Sequence, residues 1–186
     1  VNEGGMAAVI GSDMDAVKKL IDASVDKDEV LEIANDNAPG QIVISGHMTA
    51  IQKSVENSKD MGIKRVLKLP VSAPFHCSLM NSALEEMKST IATINIDSPR
   101  IMLCNNVEAK FLSDVKIIKD SLLKQIIGRV RWRESVENMR DLGKVSRFVE
   151  LGVGNVLSGL IKRIDSNLDS VSLESITDIE NFAKLV

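Results

Sequence analysis

Six consecutive residues, Ser72-Ala73-Pro74-Phe75-His76-Cys77, carry the side chains best suited to chemistry in this sequence. An imidazole titrates near neutral pH and passes a proton in either direction, so His76 suits general acid and base work. A solitary histidine is structural more often than catalytic, and its neighbours must decide. Cys77 is adjacent, but its side chain is expected to point elsewhere, as a small buried thiol rather than a nucleophile. The other histidine, His47, is expected on the surface. Lys124, Arg129, Arg131 and Arg133 form a basic cluster that reads first as a solvated helix surface, second as a meeting place for an acidic partner. Gln125 taken alone is an ordinary helical glutamine. No Gly-x-Ser-x-Gly nucleophile elbow occurs anywhere in the 186 residues.

The elements that must position His76 follow from periodicity. Met6 to Gly11 reads as a strand. Met14 to Ala23 reads as a helix with Val17, Leu20 and Ile21 on one face and Asp13 or Ser12 as its cap. Val30 to Ala34 is a second strand, Asn35 to Gly40 a cluster of turn formers, and Gln41 to Ser45 a third strand. A helix from Thr49 to about Met61 and a half-buried strand from Arg65 to Val71 complete the order strand, helix, strand, strand, helix, strand. That is the pattern of a ferredoxin-like α+β subdomain over residues 1–71.

Residues 72–186 read differently. A helix from about Leu79 to Ile94 presents Leu84, Met87, Ile91 and Ile94, and Asp97 to Arg100 breaks it. Ile101 to Cys104 is fully apolar, as a strand buried inside an α/β sheet would be. Helices at Val115 to Ile127 and Trp132 to Leu142 precede a strand at Arg147 to Leu151, a turn at Gly152 and Gly154, a helix through Ile164 and one more strand at Val171 to Leu173. Strand and helix alternate, which argues for a parallel sheet covered by helices. The methionines between Met48 and Met102 read as core filler. His76 thus falls just past a strand and just before a helix, where open α/β sheets place their working residues.

Composition narrows the function class. With 44% hydrophobic and 26% charged residues the chain can bury a sizeable core, and a net charge of −3 offers no broad basic surface for nucleic acid or an anionic membrane. Two cysteines without paired spacing exclude a disulfide framework and a zinc site, which fits a reducing, cytoplasmic compartment. No apolar run approaches the roughly 20 residues that span a bilayer.

Pro70-Val71-Ser72-Ala73-Pro74-Phe75-His76-Cys77-Ser78-Leu79-Met80 closely resembles the histidine motif of the malonyl-CoA:acyl-carrier-protein transacylases. Ala38 to Gly46, Asn105-Asn106-Val107, Gln125, Trp132 and Val156 to Arg163 resemble further segments of that family, in family order and over nearly the whole chain. The resemblance implies a ferredoxin-like subdomain (1–71) inserted into an α/β-hydrolase-like body, of which residues 72–186 are the C-terminal part. It implies His76 as the base that activates a serine, and Gln125 as the donor of a carbonyl that holds the other ring nitrogen. The implied reaction moves malonyl from malonyl-CoA, a substrate, to the phosphopantetheine thiol of acyl carrier protein through a seryl ester, in fatty acid biosynthesis. No metal or cofactor is implied, and the full-length protein is expected to be a monomer.

The family's Gly-His-Ser-Leu-Gly elbow and its malonate-binding arginine correspond to positions upstream of the region matching Val1, so this chain reads as a C-terminal portion expected to be inactive alone. Gly152-Val153-Gly154 stands where the family commonly has Gly-Pro-Gly. Two other readings are a non-catalytic module that binds carrier protein or coenzyme A, and a transacylase of different acyl selectivity.

Overall fold

A computed structural model of the protein describes residues 4–185. Two compact units, Val1–Ser135 and Val136–Val186, divide the chain, and the boundary expected at residue 71 lies within the first. The first unit begins with β1 (Gly4–Ile10), α1 (Met14–Ser24), β2 (Leu31–Ala38), β3 (Gln41–His47), α2 (Met48–Asn57) and β4 (Arg65–Lys68). The strands form one sheet in the order β2-β3-β1-β4, and every neighbouring pair is antiparallel. Alternation along β1 and β3 sends Ala7, Val9, Ile42 and Ile44 to one face, where they pack with Val17 and Leu20 of α1 and Ala50 and Ile51 of α2. Asp13 is the cap of α1: its carboxylate accepts the Ala16 N–H at 2.8 Å.

Two expectations are corrected within this sheet. Asn35 to Ala38 belongs to β2 rather than to a turn, and the turn is confined to Pro39 and Gly40, the latter at φ +70. The polar residues enter the strand because register shifts between Ile33 and Asn35 and between Asp36 and Ala38 absorb them. The outer edge is satisfied by Val130, whose N–H donates to Ala34 O at 2.7 Å and whose carbonyl accepts from Asp36 N at 2.8 Å. β4 ends at Lys68 rather than Val71; Leu69 N adds one bond to Met6 O, and Pro70 then has no N–H to offer.

Beyond β4 come a single 3-10 turn at Ser78–Met80, α3 (Asn81–Thr93), a two-stranded antiparallel pair of β5 (Leu103–Cys104) and β6 (Phe111–Leu112), α4 (Val115–Ile127) and α5 (Trp132–Asp141). Asp114 caps α4 through Ile117 N at 2.9 Å. The buried parallel strand expected at Ile101 to Cys104 is not found: Ile101 is 82% exposed and Met102 64%, and only two residues pair. Nor do the methionines serve uniformly as filler. Met48 packs against the core, whereas Met61, Met87 and Met102 are exposed. On α3, Ile91 is buried but Met87 is not, and Ile94, which follows the helix, is also exposed.

In the second unit β7 (Arg147–Leu151) and β8 (Asp169–Leu173) pair in parallel around α6 (Val156–Ile164), and α7 (Ile176–Ala183) follows. Among the named strands, parallel pairing is confined to this crossover. Gly152 and Gly154, at φ +139 and +91, make the turn that residues with a Cβ rarely adopt. Glu150 fastens the start of α6, accepting from Leu157 N at 2.9 Å and Ser158 N at 2.7 Å. Partial burial raises its pKa, but these bonds and that from Ser172 outweigh it and hold the carboxyl below its ordinary range. α7 was not anticipated, although Ser175-Ile176-Thr177-Asp178 is a capping box. No described helix is long and apolar enough to cross a membrane.

The two environments differ enough to be measured. Leu20→Ala should cost about 2–5 kcal/mol in urea denaturation, and Ile101→Ala less than about 0.5 kcal/mol. Equal losses at both sites would contradict this division between core and surface.

Candidate active site

His76 lies on the loop between β4 and the 3-10 turn, half-buried, with φ +61. A residue with a Cβ adopts that left-handed conformation at a cost of about 1–2 kcal/mol, so the surroundings must enforce it. Three anchors do. Pro74 sits so close to β1 that a Cβ on Gly4 would lie 2.4 Å from its Cγ. Cys77 is fully buried, its thiol donating to Pro74 O at 3.2 Å. Ser78 donates its N–H to Glu32 Oε2 at 3.3 Å and its hydroxyl to Glu32 Oε1 at 2.5 Å.

The ring itself is fixed from the opposite side. His76 Nδ1 lies 2.9 Å from the backbone carbonyl of Gln125. Gln125 occupies the last turn of α4, where a carbonyl finds no intrahelical donor because the helix ends at Ile127. A carbonyl only accepts, so the neutral imidazole carries its proton on Nδ1 and presents a lone pair at Nε2. Nε2 bonds to no other described residue. The Gln125 side chain does something separate: its Nε2 donates to Gly128 O at 2.8 Å and closes the helix end. Gly128 permits this, since a Cβ there would meet Lys124 O at 2.6 Å and Val107 Cγ2 at 2.7 Å.

The structure therefore brings His76 and Gln125 together, through main chain on the glutamine side. Glu32 and Ser78, which hold the loop, were missed by sequence reasoning because nothing in a strand glutamate marks a partner 46 residues away. Cys77 is the expected buried thiol; burial pushes its pKa up, against weaker lowering by hydrogen bonds from Ser45 and the Leu79 backbone. His47 departs from the surface reading. It is half-buried at the end of β3, and its Nδ1 accepts the Val30 N–H at 2.8 Å.

The basic cluster is a set of ion pairs rather than a bare cationic surface. Lys124 meets Glu108 at 2.9 Å, Arg129 and Arg131 share Glu134, and Arg133 meets Asp36 at 2.7 Å. The Arg131 hydrogen bond holds Glu134 below its ordinary pKa, and Lys124 does the same for Glu108. Asp36 is 2% exposed, so its partner is obligatory. An open cleft of about 530 Å³ beside the turns at Gly11 and Gly40 has Asp36 and Arg133 in its wall, but their charges already satisfy each other and His76 does not line it. Among the described residues no group of three or more His, Cys, Asp or Glu could hold a metal ion.

No protein-family model matches the chain. Individual proteins do. The malonyl CoA-acyl carrier protein transacylase of Staphylococcus aureus is 39% identical over 179 residues, which is 96% of this chain. This chain is homologous to the malonyl CoA-acyl carrier protein transacylases. It spans 58% of that relative's length. The crystal structure of the acyl-carrier-protein S-malonyltransferase from Burkholderia pseudomallei superposes with a TM-score of 0.91 at 41% identity, covering 99% of this chain and 59% of the other. A malonyl-transacylase solved in complex with a type II PKS acyl-carrier protein superposes with a TM-score of 0.93 at 30% identity, covering 100% of this chain and 59% of the other. The fold of this transacylase homologue is α/β, with helices alongside antiparallel and parallel sheets.

The buried ion pair yields a clear expectation. Arg133→Met would leave Asp36 desolvated and unpaired and should destabilise the protein by about 3 kcal/mol. An unchanged denaturation midpoint would show that Asp36 does not need the guanidinium.

Proposed function

We propose that this chain is the base-bearing part of an enzyme that transfers malonyl from malonyl-CoA to the phosphopantetheine thiol of acyl carrier protein, in fatty acid biosynthesis. The observation that carries the reading is the 2.9 Å contact between His76 Nδ1 and the Gln125 carbonyl, which leaves Nε2 as the basic nitrogen. Homology to transacylases supports the same reaction. The acyl carrier protein bound by one relative supports that partner.

In the proposed cycle Nε2 takes the proton of a serine hydroxyl as its oxygen attacks the malonyl thioester. The C–S bond breaks, the imidazolium returns the proton to the coenzyme A thiolate, and malonyl rests on the serine. The phosphopantetheine thiol then gives its proton to Nε2 and attacks the ester, and the serine recovers a proton as it leaves. A thioester is consumed and a thioester is made, so the reaction is close to energy-neutral. A nucleophile, a base and an oxyanion site suffice, with malonyl-CoA as a substrate and no metal or cofactor. The serine and the malonate-binding arginine come from sequence beyond the matched part. The chain by itself is inactive.

Two helices on a four-stranded antiparallel sheet of order β2-β3-β1-β4 support a ferredoxin-like subdomain over residues 1–71, and the parallel β7-α6-β8 crossover supports an α/β-hydrolase-like body for residues 72–186. A two-stranded parallel sheet does not persist unsupported, and Leu151, Val153 and Val156 of the second unit are 72%, 97% and 69% exposed. Both observations fit a chain that works with further polypeptide. The whole protein is proposed to be a cytoplasmic monomer.

The test is transfer of radiolabelled malonyl from malonyl-CoA to acyl carrier protein. The purified chain should transfer none, and robust transfer would overturn the division of labour. Joined to the segment that its relatives carry beyond the matched part, it should become active. His76→Ala should then cut the rate on the order of 10³-fold or more. Gln125→Ala, which keeps the backbone carbonyl, should cost less than about tenfold. Near-normal turnover without His76 would remove it from the mechanism.

A further inference from the structure

We propose that Glu32 is a positioning residue for His76, one that locks the loop in its left-handed turn by gripping Ser78 and thereby sets which ring nitrogen carries the proton. Glu32 lies on β2, half-buried, and reaches across to the start of the 3-10 turn, two residues after His76. Its two carboxylate oxygens take the two donors of Ser78 separately, the N–H at Oε2 and the hydroxyl at Oε1. That N–H is one of the donors that a helical turn leaves unsatisfied at its beginning, so a carboxylate there fixes where the turn starts.

The other two anchors cannot substitute for it. Pro74 against Gly4 and the buried Cys77 thiol, which bonds Pro74 O and lies beside Ser45 of β3, hold the stretch only up to Cys77. Glu32 ties the residue after Cys77 to the sheet, so the φ +61 of His76 is bracketed by fixed points on both sides. Without the carboxylate, Ser78 turns to water and the backbone at His76 can relax towards negative φ. The imidazole then swings away from Gln125 O, and the reason for a proton on Nδ1 disappears.

The consequence for catalysis rests on the reading of His76 as the base; the positional claim does not. The measurement is a long-range 1H–15N correlation spectrum of the imidazoles at about pH 8. The purified chain holds its own control. His47 Nδ1 accepts from Val30 N, so that ring carries its proton on Nε2, and the wild-type spectrum should contain one ring of each kind. In Glu32→Ala the His76 pattern should move to a mixture of tautomers while His47 and the far-ultraviolet circular dichroism stay unchanged. Glu32→Gln, which still offers an acceptor oxygen, should stay near wild type. Ser78→Ala, which loses the hydroxyl alone, should fall between, and it decides the matter if Glu32→Ala does not fold. A wild-type His76 pattern in a folded Glu32→Ala protein, or in Ser78→Ala where the former does not fold, would overturn the proposal. In the active joined protein Glu32→Ala should lower kcat at least severalfold with KM for malonyl-CoA unchanged. A drop in stability with kcat intact would assign Glu32 a merely structural role and sink its positioning role in catalysis. An active His76→Ala protein would instead sink the base assignment and leave the tautomer result standing.

Discussion

A helix must end with carbonyls that no turn of its own can satisfy, and the first unit depends on what is done with one of them. At the end of α4 the Gln125 carbonyl is met by His76 Nδ1 at 2.9 Å. The bond gives the helix end a partner and the imidazole a fixed tautomer. The surrounding residues serve it: Gly128 lets the chain leave α4 at close quarters, the Gln125 amide closes the helix end on Gly128 O, and the sheet of β1 to β4 holds the loop from the other side. A strained residue between two rigid elements is what pre-organisation looks like in a backbone.

The same sheet has a second duty. Asp36, buried on β2, reaches Arg133 at the start of α5, and Val130 pairs with the outer edge of β2. The cluster of basic residues, which by sequence reads first as a solvated helix surface and only second as a contact for an acidic partner, is largely spent on these internal pairs. Charge counting overstated its reach because Glu108, Glu134 and Asp36 lie scattered along the sequence and become neighbours of the cations only in three dimensions.

Much of the architecture was legible where hydrophobic periodicity was strong. α4 spans the residues expected, Val115–Ile127, as does β7 at Arg147–Leu151. The order of the first six elements was equally plain. The losses came where long-range context overrides local preference. Asn35 to Ala38 has turn composition, yet bulges and Val130 draw it into a strand. Ile101 to Cys104 has the composition of a buried strand and lies largely in the open, because nothing among the described residues covers it. Of the candidate site, His76 was legible from its motif and Gln125 only from the family resemblance. The means of contact, a backbone carbonyl, has no signature in residue type, and neither has the Glu32 to Ser78 tether.

A hydrogen bond from an imidazole nitrogen to a peptide carbonyl transmits a scalar coupling. In a uniformly 13C,15N-labelled sample of this chain, a trans-hydrogen-bond coupling between His76 Nδ1 and the Gln125 carbonyl carbon is the most direct test. The geometry at 2.9 Å predicts a resolvable coupling with His76 protonated on Nδ1. A well-resolved spectrum with no coupling, and with the proton on Nε2, would contradict it.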